Sequence, residues 1–392
     1  MRVHATRTYR VGLNALLLDS GRESYRRAGI HNYLSGLLPS LTAGDNCFTY
    51  TAFVSEGSPK VSKNTSIYRA GPRTVRPSLR VAWEQFVQPW VALRQHIDLL
   101  HSMAFVSPVL TTIPSVVTVY DLSFLRVPDR FRTTNRIYLS LFTRVSCRRA
   151  RRVITISEST KRDVVTQLGI PSERIDVIYP GIHERFRAAS PEAVAEFRVR
   201  RGLPEEFILY LGTIEPRKNL SVLINAFAKA RPSGVKLICA GGRGWMYEDV
   251  FRTVEELRMS RDVIFPGLVP ADELPLWYSA ARAFVYPSSY EGFGMPVLEA
   301  LACSVPTIAT NAASLPEVTG ESALLVPPEN TDALSEALSR ILTDANLRAE
   351  LAAAGPIRAE KFLWPTAGRL TVRSHAQALG LPTTGVLEAQ NT

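Results

Sequence analysis

Residues 286–306 read YPSSYEGFGMPVLEALACSVP, and this stretch decides the fold of the chain. The apolar run Ala283 to Tyr286 reads as a buried strand. Pro287 to Gly294 is a turn-rich loop. Pro296 suits the first turn of a helix, where its missing N–H has no partner to lose. That helix is expected to run from Pro296 to about Cys303, with Ser304-Val305-Pro306 ending it. Strand, glycine loop and helix together aim backbone N–H groups and the positive end of a helix dipole at an anion. Glu291 sits in the loop, and Glu299 is embedded in an apolar helix. Each carboxylate needs hydroxyl or N–H partners to offset its desolvation, and a sugar or a ribose supplies hydroxyls. The competing reading is a surface loop before a helix that carries a chance glutamate. It leaves the surrounding glycines and prolines without a purpose.

The same rhythm repeats outward from this unit. Phe207 to Leu211 is an apolar strand ending in Gly212, and Arg217-Lys218-Asn219 precede a helix reaching about Ala230. Cations at a helix start oppose its dipole unless an anion joins them, and a glycine lets a phosphate approach the backbone. A diphosphate is the expected anion. Val235 to Gly242, Asp262 to Gly267, Thr307 to Asn311 and Ala323 to Val326 are further strands. In the first half, Tyr9 to Leu18, 47–54, 66–69, Ile97 to Ser102, Pro114 to Asp121 and Arg152 to Ser157 read as strands. Between them, residues 72–96 read as a turn and a helix. Its Trp83, Phe86, Val87, Trp90, Val91 and Leu93 fall near helical spacing and are expected in the core. Strand and helix alternate throughout with short connections, which predicts two doubly wound α/β domains with parallel sheets.

At 392 residues the chain is long enough for two full cores. Its four cysteines are scattered, which suggests neither a zinc site nor a disulfide framework and favours a reducing compartment. The longest apolar window, Ile97 to Val119, is broken by Asp98, His101, Pro108 and Pro114, so no membrane span is expected. The first apolar run contains Asn14 and ends in Asp19-Ser20-Gly21, which reads as a strand rather than a signal peptide. The net charge of +10 suits anionic partners. Arginines cluster at Arg22, Arg26 and Arg27, at Arg73, Arg76 and Arg80, and at Arg148, Arg149, Arg151 and Arg152. None is interleaved with the stacking aromatics of a nucleic-acid module, so no nucleic acid is expected. A solvated face and docking to an anionic bilayer that carries a lipid-linked acceptor stand as equal readings.

Two glutamates with seven residues between them carry little alone. The whole run SSYEGFGMPVLEALACSVP, however, resembles the donor-site signature of retaining glycosyltransferases of family four. The resemblance covers about residues 9–375. It includes RRARRVITISESTKRDVVTQLGIPSERIDVIYPGIHERF from Arg148, TIEPRKNL from Thr213 and EKFLWP from Glu360. It implies the GT-B form of the α/β class, two Rossmann-like doubly wound domains facing across a cleft. Residues 1–182 would form the acceptor-side domain, 183–205 a linker and 206–358 the nucleotide-sugar domain. Residues 359–380 would form a helix crossing back to the first domain, and 381–392 a disordered tail.

The implied activity is a retaining, metal-independent transfer of a sugar from a nucleotide diphosphate sugar to a glycan or polyprenyl-linked acceptor. It would serve cell-surface polysaccharide or glycolipid synthesis in the cytoplasm, with peripheral contact at the inner membrane face. Relatives with the T-x-E-P-R-K-N form favour mannose and lean toward GDP-mannose, while the residues themselves leave a GDP- or a UDP-linked donor open. No cofactor beyond the substrate is implied. In that frame Arg217 and Lys218 contact the diphosphate, beside Gly212, Thr213 and Asn219. Glu291, Gly292, Phe293 and Gly294 hold the sugar, and Met295, Pro296 and Val297 form the helix mouth. Glu299 takes the ribose, Leu268 and Val269 frame the base, and His101 lines the reaction centre. No Asp-x-Asp pair offers a metal site. Gly29, His31, Asn32, Tyr120 and Asp121 fall on the acceptor side. There the chain departs from the family, with His31 and Asn32 in place of Gly and Arg and Tyr120 in place of His. A sugar-nucleotide 2-epimerase of the same architecture and a non-catalytic sugar-nucleotide-binding protein are the alternatives.

Overall fold

The computed structural model describes residues 7–18, 28–41, 47–126, 133–230 and 233–382. Arg22, Arg26, Arg27 and the expected tail beyond Pro382 lie outside the described residues. The chain divides into two compact units, Met1–Gly181 with Leu363–Thr392, and Ile182–Phe362. Among the described residues no helix is long and apolar enough to cross a membrane.

The first unit is built on a sheet of seven strands. These are β1 (Tyr9–Asn14), β2 (Phe48–Val54), β3 (Thr65–Arg69), β4 (Leu99–Ser102), β5 (Ser115–Val119), β6 (Arg152–Thr155) and β7 (Ile175–Val177). The order is β3-β2-β1-β4-β5-β6-β7, and every pairing is parallel. Strands buried on both faces need apolar side chains on both, and β4 and β5 are buried at every position. The order reverses between β1 and β4, so the crevice of this sheet opens at their carboxyl ends.

The helix Trp364–Ala378 belongs to this unit, with Trp364 edge-on to Tyr33 at 5.8 Å between ring centres. It carries His375 down to His101 on β4. The two rings meet at 3.0 Å, and the other nitrogen of His101 lies 2.8 Å from the Thr118 hydroxyl. The expectation that His101 lines a reaction centre is therefore corrected. Its position near a strand end is right, but its side chain is fully buried beneath this helix.

Burial, with the neighbouring His375, holds the pKa of His101 well below its usual value, and burial alone lowers that of His375 to about 3. Both folded pKa values lie below the unfolded value near 6.5, so the unfolded chain binds more protons. The stability they contribute is intact above about pH 6.5 and is lost as pH falls, by up to about 1.4 kcal/mol per pH unit for each ring. Urea midpoints of this unit are expected to drop from pH 7.5 to pH 5.5. The double variant His101→Val with His375→Phe is expected to flatten that slope, and an unchanged slope would sink the assignment.

The region expected to bury an aromatic stripe is helical but interrupted. Helices Pro77–Ala82 and Gln88–Arg94 flank a π-helical turn, Trp83–Val87. Pro89 has no N–H for the Gln85 carbonyl, and a wider turn absorbs that loss. Only Trp83 and Val91 of the stripe are buried, while Phe86, Val87, Trp90 and Leu93 face solvent. The sequence expectation of a wholly buried stripe fails because the extra residue in the wide turn rotates the apolar positions out of phase.

The second unit has a parallel sheet of six strands. These are β8 (Glu206–Leu211), β9 (Val235–Ala240), β10 (Val263–Gly267), β11 (Ala283–Tyr286), β12 (Thr307–Thr310) and β13 (Leu324–Val326). Their order is β10-β9-β8-β11-β12-β13, and it reverses between β8 and β11. Residues 183–205 are not a free linker. Their helix Pro191–Arg201 packs into this unit, with Phe197 edge-on to Trp277 at 5.4 Å and the Arg198 guanidinium donating to the Ala280 carbonyl at 2.5 Å.

Candidate functional site

The loops after β8 and β11 meet where the strand order reverses, the place at which an open α/β sheet binds ligands. After β8 the backbone turns tightly. The Gly212 N–H donates to the Ala240 carbonyl at 3.0 Å, and the Ile214 N–H to that of Gly242 at 2.9 Å. Gly241 has φ of 143°, and a Cβ there would lie 1.9 Å from the Gly212 oxygen, so only glycine fits.

Pro216–Lys218 then forms one 3-10 turn, and Asn219 takes a left-handed φ of 51° before the helix Leu220–Ala230 begins. Arg217 and Lys218 therefore stand on a tight turn ahead of the helix rather than inside its first turn. The Arg217 carbonyl accepts from the Ser289 N–H at 2.9 Å and the Ser289 hydroxyl at 3.1 Å, tying this turn to the loop after β11.

That loop places Glu291 between the two cations. Lys218 Nζ is 2.6 Å from Glu291 Oε1, and Arg217 Nη1 is 3.2 Å from Oε2. Ser288 donates to Oε1 at 2.5 Å, and the Tyr286 hydroxyl lies 3.3 Å from it. Arg217 also donates to Glu215 at 2.9 Å and to the Tyr290 carbonyl at 2.6 Å. Burial alone would raise the pKa of Glu291, but Arg217 and then Lys218 overcome it and hold the carboxyl at about 2. Burial lowers the pKa of Lys218, with Glu291 opposing that shift and Arg217 adding to it. Two cations and two carboxylates thus share one buried pocket with no net charge.

The helix Met295–Ala302 follows, capped by Gly294 at φ 105°, where a Cβ would meet Leu315 at 2.5 Å. The Ser314 hydroxyl lies 2.9 Å from the carbonyls of both Glu291 and Phe293 and fixes the loop's curvature. Glu299 is buried on this helix, and Tyr278 donates to its Oε2 at 2.9 Å. Burial raises its pKa to about 7 against the opposing pull of the Tyr278 hydrogen bond and Arg185. Leu268 and Val269 follow β10 on the same carboxyl edge, with Leu268 exposed. The second unit thus gathers the donor-side residues of the sequence reading along one sheet edge. That reading missed Glu215, Tyr278, Tyr286, Ser288 and Ser314, the partners that orient them. Tyr278 and Ser314 meet their partners across 21 to 23 residues and carry no local signal, whereas Glu215, Tyr286 and Ser288 lie within five residues of Arg217 or Glu291.

The acceptor-side expectations fare differently. Tyr120 is buried, and its hydroxyl donates to the Met103 carbonyl at 2.7 Å. It is a structural residue, and the acceptor reading for it is corrected. Asp121 accepts from the N–H of Ser123 at 2.8 Å and its hydroxyl at 2.6 Å, capping the short helix Ser123–Arg126. His31 lies within the helix Ala28–Ser40, 2.5 Å from the Leu18 carbonyl, while Gly29 and Asn32 lie on the same helix. At the carboxyl end of β1 the structure instead gathers Asn14, Glu84 and Gln88. Asn14 donates to both of the others at 3.3 Å, and Arg80 approaches Glu84 at 3.9 Å. Burial raises the pKa of Glu84 to about 7, against Arg80 and the Asn14 hydrogen bond.

Comparison with known proteins agrees with this architecture. Residues 195–358 match the family described as "Glycosyl transferases group 1", and residues 31–186 match "Glycosyltransferase Family 4". The chain is 31% identical to O-antigen chain mannosyltransferase B of Escherichia coli over 67% of its own length and 70% of that protein. It is 32% identical to the serotype-specific mannosyltransferase WbdA of Escherichia coli over 59% of its own length, a match spanning 29% of that longer protein. Sucrose-phosphate synthase from Thermosynechococcus elongatus superposes with a TM-score of 0.74 at 21% identity, covering 95% of this chain and 99% of that one. The fold is GT-B, with two Rossmann-like sheets of seven and six strands. The chain belongs to glycosyltransferase family 4.

Proposed function

We propose that this glycosyltransferase moves mannose from GDP-mannose, with retention at the anomeric carbon and without a metal, to a glycan or polyprenyl-linked acceptor in cell-surface polysaccharide synthesis. One observation carries the reading: the two cations after β8 and the carboxylate after β11 are pinned together where the second sheet reverses. Support for mannose comes from the two relatives named as mannosyltransferases.

In this reading Arg217 and Lys218 take the donor diphosphate and stabilise the charge that builds on it as the glycosidic bond breaks. Gly212, Thr213 and Asn219 supply the turn that lets it approach. Glu291 exchanges part of its ion pairing for the sugar hydroxyls, beside the backbone of Gly292 to Val297. The departing diphosphate accepts the acceptor's proton, so no carboxylate nucleophile is assigned. Glu299 receives the ribose hydroxyls, and Leu268 and Val269 border the base. On the first unit, the at least partly exposed Gly29, His31, Asn32 and Asp121 face the acceptor in this reading.

Incubation of the purified protein with GDP-mannose and a polyprenyl-diphosphate-linked glycan, followed by NMR of the product, tests the proposal. An α-linked mannose is expected, because the donor is α-linked. Conversion of the donor sugar without any acceptor would point to an epimerase instead. Absence of turnover with every nucleotide sugar would favour a binding protein.

Glu299 adds a pH dependence. With its pKa near 7, the carboxyl is largely protonated at pH 6. Ribose hydroxyls donate better to the ionised form, so donor binding is expected to release a proton. Affinity for GDP-mannose, whose diphosphate diester does not titrate in this range, is expected to rise up to about tenfold from pH 6 to pH 8. Titration calorimetry on Glu299→Gln should show a flat profile. A wild-type affinity that falls with pH would refute the role.

A further inference from the structure

The loop at 241–247 follows β9, the strand that lies between β8 and β10 in the second sheet. The loop after β8 carries Arg217 and Lys218, and Leu268 and Val269 follow β10, so this loop lies between the diphosphate residues and the base residues. Its backbone is tied to both neighbours. The Ile214 N–H donates to the Gly242 carbonyl at 2.9 Å, and the Gly244 N–H donates back to the Ile214 carbonyl at 2.9 Å. The Gly241 N–H donates to the Gly267 carbonyl at 2.8 Å. Arg243 itself forms a parallel bridge with Ile214. A Cβ on Gly244 would lie 2.7 Å from the Ile214 oxygen and 2.9 Å from Thr213 Cγ2, so the loop packs hard against the phosphate turn.

Two features of this loop serve no purpose in packing. The first is Arg243, which is exposed. Its guanidinium lies over the rings of Tyr247 and Phe251, 5.4 Å and 4.9 Å from their centres. Phe251 is held in turn by Phe265 of β10, 4.6 Å away between ring centres. Aromatic rings engage the face of a guanidinium and leave the N–H groups at its edge free. Among the described residues no carboxylate or carbonyl occupies that edge. The second feature is Met246, 57% exposed and held at a left-handed φ of 52°, which is uncommon for any residue but glycine. Leu268, just past β10, is 60% exposed. A solvated arginine resting on an aromatic cluster accounts for Arg243 alone. It leaves two large apolar side chains bare on adjoining loops.

We propose that Arg243 selects guanine as the donor base, its N–H edge donating to O6 and N7 while Met246 and Leu268 cover the faces of the ring. The assignment rests on the nucleotide-sugar site proposed for this unit and adds the choice of base to it. Guanine presents two acceptors side by side, and the fork of an arginine meets both. Adenine places a donor beside N7, and uracil has no second acceptor beside O4, so each takes one such hydrogen bond. A bicyclic base also buries more of the two apolar side chains than a pyrimidine does. Arg217 and Lys218 already serve the diphosphate, which leaves Arg243 to set specificity.

Titration calorimetry of the full chain with GDP, UDP and inorganic diphosphate tests the proposal. The wild type is expected to prefer GDP to UDP by about tenfold or more. Arg243→Gln is expected to weaken GDP by about tenfold, with UDP, inorganic diphosphate and the melting temperature of the free protein unchanged. Arg243→Lys keeps the charge but loses the fork, so it should lose most of the GDP preference as well. The analogue 7-deaza-GDP, which has a C–H in place of N7, should bind the wild type more weakly than GDP and Arg243→Gln no more weakly than GDP does. Equal losses for GDP, UDP and inorganic diphosphate, restored by Arg243→Lys, would assign the charge to the phosphates and overturn the proposal. GDP binding that Arg243→Gln leaves unchanged would overturn it too, while the nucleotide-sugar reading stands. Absence of binding by every nucleotide and by diphosphate would remove that reading and this assignment together.

Discussion

Replacing Glu291 with glutamine is expected to tighten GDP binding by about tenfold while cutting transfer by about a thousandfold. The first effect follows from charge. Without a ligand, Arg217 and Lys218 are neutralised by Glu291 and Glu215. A diphosphate must compete with Glu291 for the same cations. Removing one negative charge about 5 Å from the phosphate is worth roughly 3 kcal/mol at an effective dielectric near 20, part of which is lost to reorganisation. The second effect follows from geometry. Glutamine keeps the shape of the side chain but accepts weakly from sugar hydroxyls, and it cannot balance the positive charge growing at the anomeric carbon.

The pH dependence sharpens the test. Lys218 already has a lowered pKa through burial, and Glu291 is the main group opposing that. In the variant the ammonium loses its counterion and its pKa falls further, so the bound diphosphate must restore the proton. The gain in affinity should be largest near pH 6 and shrink toward pH 9. Calorimetry at both pH values, with transfer rates alongside, reads each effect. Weaker GDP binding in the variant at every pH would show that Glu291 and the diphosphate do not share the cations.

The second large effect is expected for Lys218→Met. The side chain is similar in length but cannot pair with Glu291, leaving that buried carboxylate with Arg217, Ser288 and Tyr286. Breaking one partner of a buried ion pair costs about 3–5 kcal/mol, and the remaining Arg217 places this case near the lower end. Glu291 has a folded pKa of about 2, below its unfolded value, so the stability it contributes is present above about pH 4.5 and lost toward pH 2. The stability gap between wild type and variant should therefore be widest at neutral pH and narrow on acidification. Loss of a cation from the leaving diphosphate should also lower kcat by about a hundred- to a thousandfold. A variant as stable as wild type at pH 7, yet inactive, would mean that the lysine serves the ligand alone.

Much of this was legible in the sequence because it is local. The strand-glycine-helix units at 207–230 and 283–303 follow from apolar runs, glycines and prolines a few residues apart, and they place Arg217, Lys218, Glu291 and Glu299 on one sheet edge. What stayed hidden depends on distance along the chain. Lys218 and Glu291 are 73 residues apart, and His101 and His375 are 274 apart. No local pattern shows that His101 turns under a helix from the far end of its unit. The aromatic stripe of 83–93 misled for a different reason. Helical spacing identifies a common face, but it does not say whether the fold covers that face, and the π-helical turn splits the stripe between the core and the solvent.

The central claim is that the turn at Arg217–Lys218 and the carboxylates Glu291 and Glu299 grip one nucleotide sugar. A crystal structure of the protein with GDP-mannose tests it most directly. The account predicts diphosphate oxygens within hydrogen-bond distance of Arg217 and Lys218, ribose hydroxyls on Glu299 and mannose hydroxyls on Glu291. A nucleotide bound elsewhere, with the ion pairs of Glu291 undisturbed, would contradict it.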